Sequence, residues 1–347
     1  MKKLTKYFLT SITILLSTTI AQARDQIRIV GSSTVYPFAT VVAEKFGISS
    51  KFKTPVVEST GSGGGLKIFC QGIGPSQVDI TNSSRRIKGR EVKKCAENGI
   101  TEITEVKIGY DGVVIANSKN TEQMNVDRKH IWLALGKNVM VDEKIIPNPH
   151  KTWKDVDPSL PDIKIEILGP PPTSGTRDAF VELALQGGCK KFPFIKKIKK
   201  TDKKAFKRLC HTIREDGPYI EAGENDNLIV AKLEENSKAL GIFGYSFLDQ
   251  NKDKLQGSII EDNTPTFENI SSGKYPVSRS LYFYIKNAHV GKIPGMSEYV
   301  AEFTSEKAFG TGGYLQEKGL IPAPDAERAE IRANALDLSL AWLADFN

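Results

Sequence analysis

The chain has 347 residues, of which 39% are hydrophobic and 26% charged, and its formal net charge at pH 7 is +7. This length is sufficient for two ordinary domains with separate cores. The positive excess is modest and carries no nucleic-acid signature, so the composition argues against a nucleic-acid partner.

The first 23 residues have the three parts of a secretory signal. A basic start with three lysines precedes an apolar stretch over residues 8–16 and the small-residue cleavage site Ala21-Gln22-Ala23. The apolar stretch is too short for a permanent membrane span, and the segment has no cysteine for a lipid anchor. We therefore expect cleavage near Arg24, a mature net charge of +4 after loss of the three lysines, and a location in the periplasm.

The mature chain opens with a strand, a small hydroxylated turn and a helix. Gln26–Val30 alternates as a strand does, and residues 35–46 have helical periodicity. Between them lie Ser33 and Thr34, in the layout of a phosphate-binding turn at a helix N-terminus. Serine and threonine are also the ordinary capping residues, so this turn alone is a weak signal.

A glycine-rich segment follows the second predicted strand, Thr54–Glu58. Residues 59–65 read STGSGGG, and a helix is predicted to start at Leu66. A flexible linker has the same composition, but this segment lies between a strand and a helix in a regular alternation. We favour a binding loop in which backbone N–H groups and the Ser62 hydroxyl face a ligand.

Charged and hydroxyl side chains follow the next strands. Residues 78–83 predict a third strand, and Ser84 and Arg85 follow it directly. The guanidinium of an arginine suits a tetrahedral oxyanion. Two further strands, 102–107 and 113–116, flank Asp111. Asp111 is either an acceptor near a ligand or the cap of a turn, because aspartate before glycine is common in turns.

Composition changes after the polar stretch 117–120, which we interpret as the first crossover between domains. The strand 163–168 ends at three prolines and is followed by Ser174, Gly175, Thr176 and Arg177, before a segment of helical periodicity. A helix N-terminus carries unpaired N–H groups and the positive end of the helix dipole, which suits an anion.

The rest of the chain continues the alternation. Residues 190–208 form the most basic run, which is typical of a solvated helix face, with a partner site as the alternative. Residues 240–245 predict a buried strand, and 276–287 predict a long strand that returns to the first domain. Helices are predicted over 297–309 and 324–343. The alternation with two crossovers indicates an α/β protein with two lobes and a cleft.

Four cysteines in an exported chain predict two disulfides. Of the three possible connectivities, Cys70–Cys95 with Cys189–Cys210 closes two local loops and keeps each bond within one domain. The cysteines and the four histidines have no metal-ligand spacing, and no catalytic signature is present. We therefore expect no metal, no cofactor and no catalysis.

The segments GSSTVYP, STGSGGG, DITNSSR, IGYDGVVIAN and TSGT, in this order, resemble the periplasmic phosphate-binding proteins of ABC importers, the PstS type. The resemblance covers nearly the whole mature chain. It implies a two-lobed Venus-flytrap (type II periplasmic-binding-protein) fold with two crossover strands. It also implies one buried inorganic phosphate and delivery to the transmembrane subunits of an ABC permease. The lobes would comprise residues 24–116 with 281–347, and residues 117–280, in a monomer.

The binding residues of this family match the chain unevenly. Its carboxylate position falls on Ser84, which leaves Asp111 as the acceptor that would distinguish phosphate from sulfate. Its arginine position falls on proline, which leaves Arg177 or Arg85 as the cation. The ligand set that the resemblance and the motifs predict is Ser33, Thr34, Val35, Ser62, Ser84, Arg85, Asp111, Ser174, Gly175, Thr176 and Arg177.

Three alternatives remain open from the sequence. A binder of another oxyanion, such as sulfate, molybdate or a phosphonate, would need similar loops. A secreted phosphatase would also need phosphate loops, but it would turn over a phosphate ester. A surface adhesin or structural protein would bind no small ligand.

Overall fold

The structure, a computed structural model, describes residues 24–172, 174–223 and 226–346, so the predicted signal segment 1–23 lies outside it. The strands are β1 Arg28–Gly31, β2 Val56–Ser59, β3 Ile80–Ser83, β4 Ile103–Ser118, β5 Asn125–Val126, β6 Asn138–Val141, β7 Lys144–Pro147, β8 Ile167–Gly169, β9 Tyr219–Glu221, β10 Leu240–Gly244, β11 Leu255–Gly257, β12 Ile259–Ile260 and β13 Ser278–Lys286.

The α-helices are α1 Tyr36–Ser49, α2 Ser62–Phe69, α3 Gly89–Glu97, α4 Arg128–Leu135, α5 Trp153–Val156, α6 Gly175–Phe180, α7 Gln186–Cys189, α8 Pro193–Thr201, α9 Lys203–His211, α10 Asp226–Glu235, α11 Tyr245–Gln250, α12 Phe267–Ser271, α13 Met296–Phe303, α14 Glu306–Phe309 and α15 Asp325–Leu336. A π-helical segment, Val181–Leu185, joins α6 to α7, and 3-10 turns cover Asn287–His289, Gln316–Lys318 and Ala341–Phe346.

One long strand is shared by two sheet regions. The strand order is β2-β1-β3-β13-β4-β10-β8-β9, with β11 also paired to β4. Residues 103–112 of β4 pair with β13, whereas residues 113–118 pair with β10 and β11. The two regions are therefore joined through β4, at the change of partner between Gly112 and Val113.

The expectation of two strands separated by a turn at Tyr110-Asp111-Gly112 is wrong. The backbone continues as one 16-residue strand, Ile103–Ser118. The interruption is a local irregularity, because Gly109 has φ +141° and the register with β13 shifts between Leu281 and Tyr282. Asp111 therefore does not cap a turn, but lies within the strand directly opposite Arg279.

Helices cover both faces of each sheet region, as the alternating pattern predicts. In the first region, Val42 and Phe46 of α1 pack with Phe303 of α13, and Leu66 and Phe69 of α2 pack on the opposite face. In the second region, one core surrounds Trp132, Trp153 and Phe180, and a smaller one surrounds Ile229 and Phe243. These cores confirm the α/β class.

Helix bounds near the C-terminus differ from the prediction. The segment 297–309 contains two helices, α13 and α14, because the chain turns at Thr304 and Ser305, where the Ser305 hydroxyl caps α14. The predicted helix over 324–343 ends at Leu336.

Both predicted disulfides are confirmed. Cys70 at the end of α2 bonds Cys95 in α3, and Cys189 at the end of α7 bonds Cys210 in α9. No described helix is long and apolar enough to cross a membrane. The described residues also contain no group of three or more His, Cys, Asp or Glu side chains placed to hold a metal ion.

Candidate ligand-binding cleft

A cavity of about 510 Å³ lies between the loops that follow β1, β8 and β10. The turn ahead of α1 supplies one wall, the N-terminus of α6 a second, and Asp111 of β4 part of the lining between them. The lining residues are Ser33, Thr34, Tyr36, Pro37, Phe38, Asp111, Ser174, Gly175, Thr176, Gly244, Phe247, Glu317, Lys318 and Gly319.

The turn ahead of α1 is held by its neighbour Ser32. The Ser32 N–H donates to the Asn82 carbonyl over 2.9 Å, and the Val35 N–H donates to the Ser32 hydroxyl over 3.3 Å. Pro37 lies in the first turn of α1, where it has no donor to lose. Ser33 and Thr34 consequently face the cavity at the positive end of the helix dipole, whereas Val35 is fully buried and does not line the cavity.

The second turn lies at the N-terminus of α6. Ser174 caps this helix by accepting a bond from the Thr176 N–H over 3.2 Å. A Cβ atom built on Gly175 would lie 3.6 Å from both the Ser33 carbonyl oxygen and the Thr34 Cα. The N-terminal turns of α1 and α6 therefore face each other across a narrow part of the cavity.

Asp111 lies opposite Arg279 on the neighbouring strand. The Arg279 Nε donates to Asp111 Oδ2 over 3.2 Å, and both side chains are largely buried. Burial raises the pKa of Asp111, although the adjacent Arg279 cation opposes this shift. The edge of the cavity therefore holds a buried carboxylate, Asp111, with the Arg279 cation beside it.

Arg279 also connects the turn ahead of α1 with the π-helical segment Val181–Leu185, which follows α6. Its Nη2 donates to Thr34 Oγ1 over 2.7 Å, and its Nη1 donates to Glu182 Oε2 over 2.7 Å. Because the Thr34 oxygen accepts this bond, its own hydroxyl proton remains available to a group in the cavity. Arg279 was not among the site residues predicted from the sequence, although it is the single cation among the first eight residues of the predicted strand 276–287.

Arg177 and Arg85 do not line the cavity. The Arg177 Nη1 donates to the Pro170 carbonyl over 3.0 Å, and its guanidinium lies 4.3 Å from the Tyr219 ring centroid. Arg85 forms two bonds of 2.8 and 2.9 Å to the Glu91 carboxylate. Burial alone would raise the pKa of Glu91, but the Arg85 bonds, the bond from the Lys88 backbone N–H and the charges of Arg85 and Lys88 together hold that pKa below its usual value.

Ser62 and Ser84 bond to each other rather than line the cavity. The Ser84 N–H donates to the Ser62 hydroxyl over 3.0 Å, and the two hydroxyl oxygens lie 3.1 Å apart. The glycine-rich segment is also more ordered than expected, because α2 begins at Ser62 instead of Leu66. Gly65 permits this helix to lie against β1, since a Cβ there would approach Gly31 Cα to 2.4 Å.

The sequence of this chain is similar to a known family and to several named proteins. Residues 16–307 match the PBP superfamily domain. The phosphate-binding protein PstS of Staphylococcus haemolyticus is 31% identical over 300 residues, which cover 85% of this chain and 80% of that protein. The protein SphX of Synechococcus elongatus is 28% identical over 85% of this chain and 76% of its own length.

Two crystal structures share the fold. A possible phosphate-binding protein from Planctomyces limnophilus superimposes with a TM-score of 0.70 at 26% identity, over 91% of this chain and 99% of that chain. An ABC-type phosphate transport receptor from Vibrio cholerae has a TM-score of 0.56 at 20% identity, over 86% and 100% of the two chains. The second comparison supports the fold alone.

Proposed function

Since the chain belongs to the PBP superfamily and, within it, to the PstS-type phosphate-binding proteins, we propose that it binds inorganic phosphate for ABC import. One ion would occupy the cleft between the two lobes, and the loaded protein would deliver it to the transmembrane subunits of the permease. The protein would act as a carrier without catalysis.

The observation that carries this proposal is the facing pair of helix N-terminal turns. Ser33 and Thr34 precede α1, Ser174 caps α6, and all three line one cavity with Gly175 and Thr176. A dehydrated phosphate needs many donors, because an unpaired buried charge is very costly. Each hydrogen bond to a charged group contributes about 1.5–3 kcal/mol, so a few hydroxyl and N–H donors from both turns offset much of that cost.

We propose Arg279 as the cation of the site, in addition to the predicted ligand set. It already bonds Thr34 and Asp111, which both line the cavity. Arg85 and Arg177 remain alternatives, but each would first have to leave its present acceptor, Glu91 or the Pro170 carbonyl. Val35, Ser62 and Ser84 would likewise need a local rearrangement to contact the ion.

Asp111 is proposed as the acceptor that selects phosphate. Phosphate keeps at least one proton near neutral pH, whereas sulfate is fully ionised and has none to donate. An ionised carboxylate accepts a bond from the phosphate proton and repels sulfate. Burial raises the pKa of Asp111 overall, and the Arg279 ion pair limits this rise by favouring the ionised form.

We further propose that lobe I comprises residues 24–116 and 281–347, and lobe II residues 117–280, in a monomer that is exported to the periplasm and cleaved near Arg24. Both lobes supply proposed donors, so the closed form is stabilised only when the anion is present. Small-angle scattering should then show a smaller radius of gyration after phosphate is added. An unchanged radius on saturation would contradict closure.

Calorimetric titration after thorough removal of bound ligand tests the function. We expect one phosphate per chain, competition by arsenate, and much weaker binding of sulfate. Preferred binding of sulfate, molybdate or a phosphonate would assign the cleft to another oxyanion. Turnover of p-nitrophenyl phosphate would instead identify a phosphatase, and an absence of heat with every anion would overturn the proposal.

A further inference from the structure

The most basic part of the chain forms two adjoining helices, which we call the basic hairpin: α8 and α9, Pro193–His211. The surrounding run 190–208 contains ten lysines and arginines and one aspartate. Since residues 24–347 carry a net charge of +4, the chain outside this run is net negative. The positive charge of the protein is therefore concentrated in one structural unit.

The basic hairpin is rigidly attached to the second core. Ile195 of α8 and Phe206 and Cys210 of α9 are buried in the core that contains Trp132. Cys210 bonds Cys189 at the end of α7, and Asp202 caps α9 by accepting bonds from two backbone N–H groups over 2.9 Å. The apolar positions consequently face inward, which orients the cations of both helices outward.

Nine exposed cations lie on the basic hairpin or just ahead of it: Lys191, Lys196, Lys197, Lys199, Lys200, Lys203, Lys204, Lys207 and Arg208. Within residues 24–346 as the structure describes them, only Lys191 among these nine forms a salt bridge, with Glu261. The side chain of Phe194 is also exposed, with 53% of its surface accessible. The fold therefore leaves the charge of the basic hairpin uncompensated and places an aromatic ring beside it.

We propose that the basic hairpin docks the protein on an anionic phospholipid bilayer. Because the apolar faces of α8 and α9 are buried in the core, the contact would be electrostatic: clusters of four to eight lysines and arginines are attracted to anionic headgroups, and the exposed Phe194 ring would lie at the interface beside them. Each helix has nine residues and is about 13 Å long, so the cations spread over many headgroups instead of surrounding one ion.

The composition of the surface favours lipid over an acidic protein. Lysine is depleted in protein–protein interfaces, where aromatic residues and arginine are enriched. Eight of the nine exposed cations here are lysines, and Asp202, the single carboxylate of the run, is engaged in capping. Bilayer docking would hold the carrier near a membrane and does not depend on which anion occupies the cleft.

Vesicle co-sedimentation tests this proposal with the full mature chain. The vesicles contain phosphatidylcholine alone or with about 30% phosphatidylglycerol, at low salt and at about 0.5 M salt. The test variant carries Lys196→Gln, Lys200→Gln, Lys203→Gln and Lys207→Gln. The matched control carries Lys119→Gln, Lys144→Gln, Lys238→Gln and Lys292→Gln, which remove the same charge from exposed positions elsewhere.

The wild type and the control should bind the anionic vesicles at low salt and lose binding at high salt. The hairpin variant should bind at least about tenfold more weakly, and Phe194→Ser a few-fold more weakly. Equal losses in the two quadruple variants, equal binding to neutral vesicles, or no binding by the wild type would overturn the proposal. Binding of polyglutamate through the basic hairpin without binding of vesicles would also overturn it, because the partner would then be an acidic protein. Phosphate titration of the hairpin variant is the control for the cleft: unchanged phosphate affinity would show that the loss of vesicle binding does not come from a damaged ligand site.

Discussion

Arg279 donates from Nη2 to Thr34 Oγ1 over 2.7 Å and so ties β13 to the turn ahead of α1. The same guanidinium bonds Asp111 on β4 and Glu182 in the π-helical segment that follows α6. A single side chain therefore connects both crossover strands with the turn ahead of α1 and with the π-helical segment that follows α6. Changes at this residue should affect ligand affinity more than changes at the other two arginines of the proposed site.

Replacing Arg279 with alanine should weaken phosphate binding by at least about tenfold, because a hydrogen bond to a charged group contributes about 1.5–3 kcal/mol. Calorimetry on this variant, Arg85→Ala and Arg177→Ala would compare the three proposed cations directly. Arg279→Lys, which keeps the charge but loses the fork, should recover part of the loss. Unchanged affinity in Arg279→Ala, with a large loss in Arg177→Ala or Arg85→Ala, would transfer the role to that arginine.

Asp111→Asn should reduce the preference for phosphate over sulfate by about tenfold or more. The amide can donate to an anion without a proton, whereas the carboxylate repels it. Paired titrations with phosphate and sulfate give the ratio of the two dissociation constants. If the variant keeps the ratio of the wild type, another group selects the ligand.

Gly65→Ala should destabilise the protein by roughly 1–3 kcal/mol, the usual cost of overpacking a filled interior. A Cβ there would lie 2.4 Å from Gly31 Cα and 2.7 Å from Thr81 Oγ1, so α2 and the sheet would have to separate. Gly63→Ala is the matched control in the same helix, because no atom outside the neighbouring helix backbone lies within 4 Å of its Cβ position. This control should be neutral or stabilise the helix by up to about 1 kcal/mol. Urea denaturation without ligand measures both, and equal stability of the two variants would contradict the packing argument.

The free energy of unfolding should rise with pH above about 8, because the buried Lys286 ammonium loses its proton there in the folded protein. This side chain is fully buried, donates to the Gly72 carbonyl over 2.6 Å, and burial lowers its pKa to about 8. Between that value and the ordinary lysine pKa of 10.5, the unfolded chain binds more protons than the folded one, so the free energy of unfolding increases with pH.

Lys286→Met should remove this increase. From pH 7.5 to pH 10, the free energy of unfolding of the wild type should increase relative to that of the variant by about 2 kcal/mol. Other groups titrate alike in both proteins and cancel in the difference. Parallel pH profiles of the two proteins would show that Lys286 does not carry the effect.

Local patterns were enough to predict much of this protein. The strand–turn–helix order around Ser33 and around Ser174 depends on residues within about ten positions, and the structure brings both turns to one cavity. The two disulfides close loops of 25 and 21 residues, and their pairing followed from keeping each loop local. The PstS-type family was likewise recognised from ordered motifs, and the comparisons confirm it.

The partners of the charged residues were decided by the tertiary structure. Arg279 meets Asp111 across 168 positions because the register of β13 on β4 places them opposite, and no local pattern encodes that register. Arg177 stacks on Tyr219 only because β8 and β9 are neighbours in the sheet. A flexible cation can reach several acceptors, and the packing of distant strands determines which acceptor it finds. The sequence by itself therefore determined most of the elements and the two turns of the cleft, whereas the strand register decided which side chains meet there.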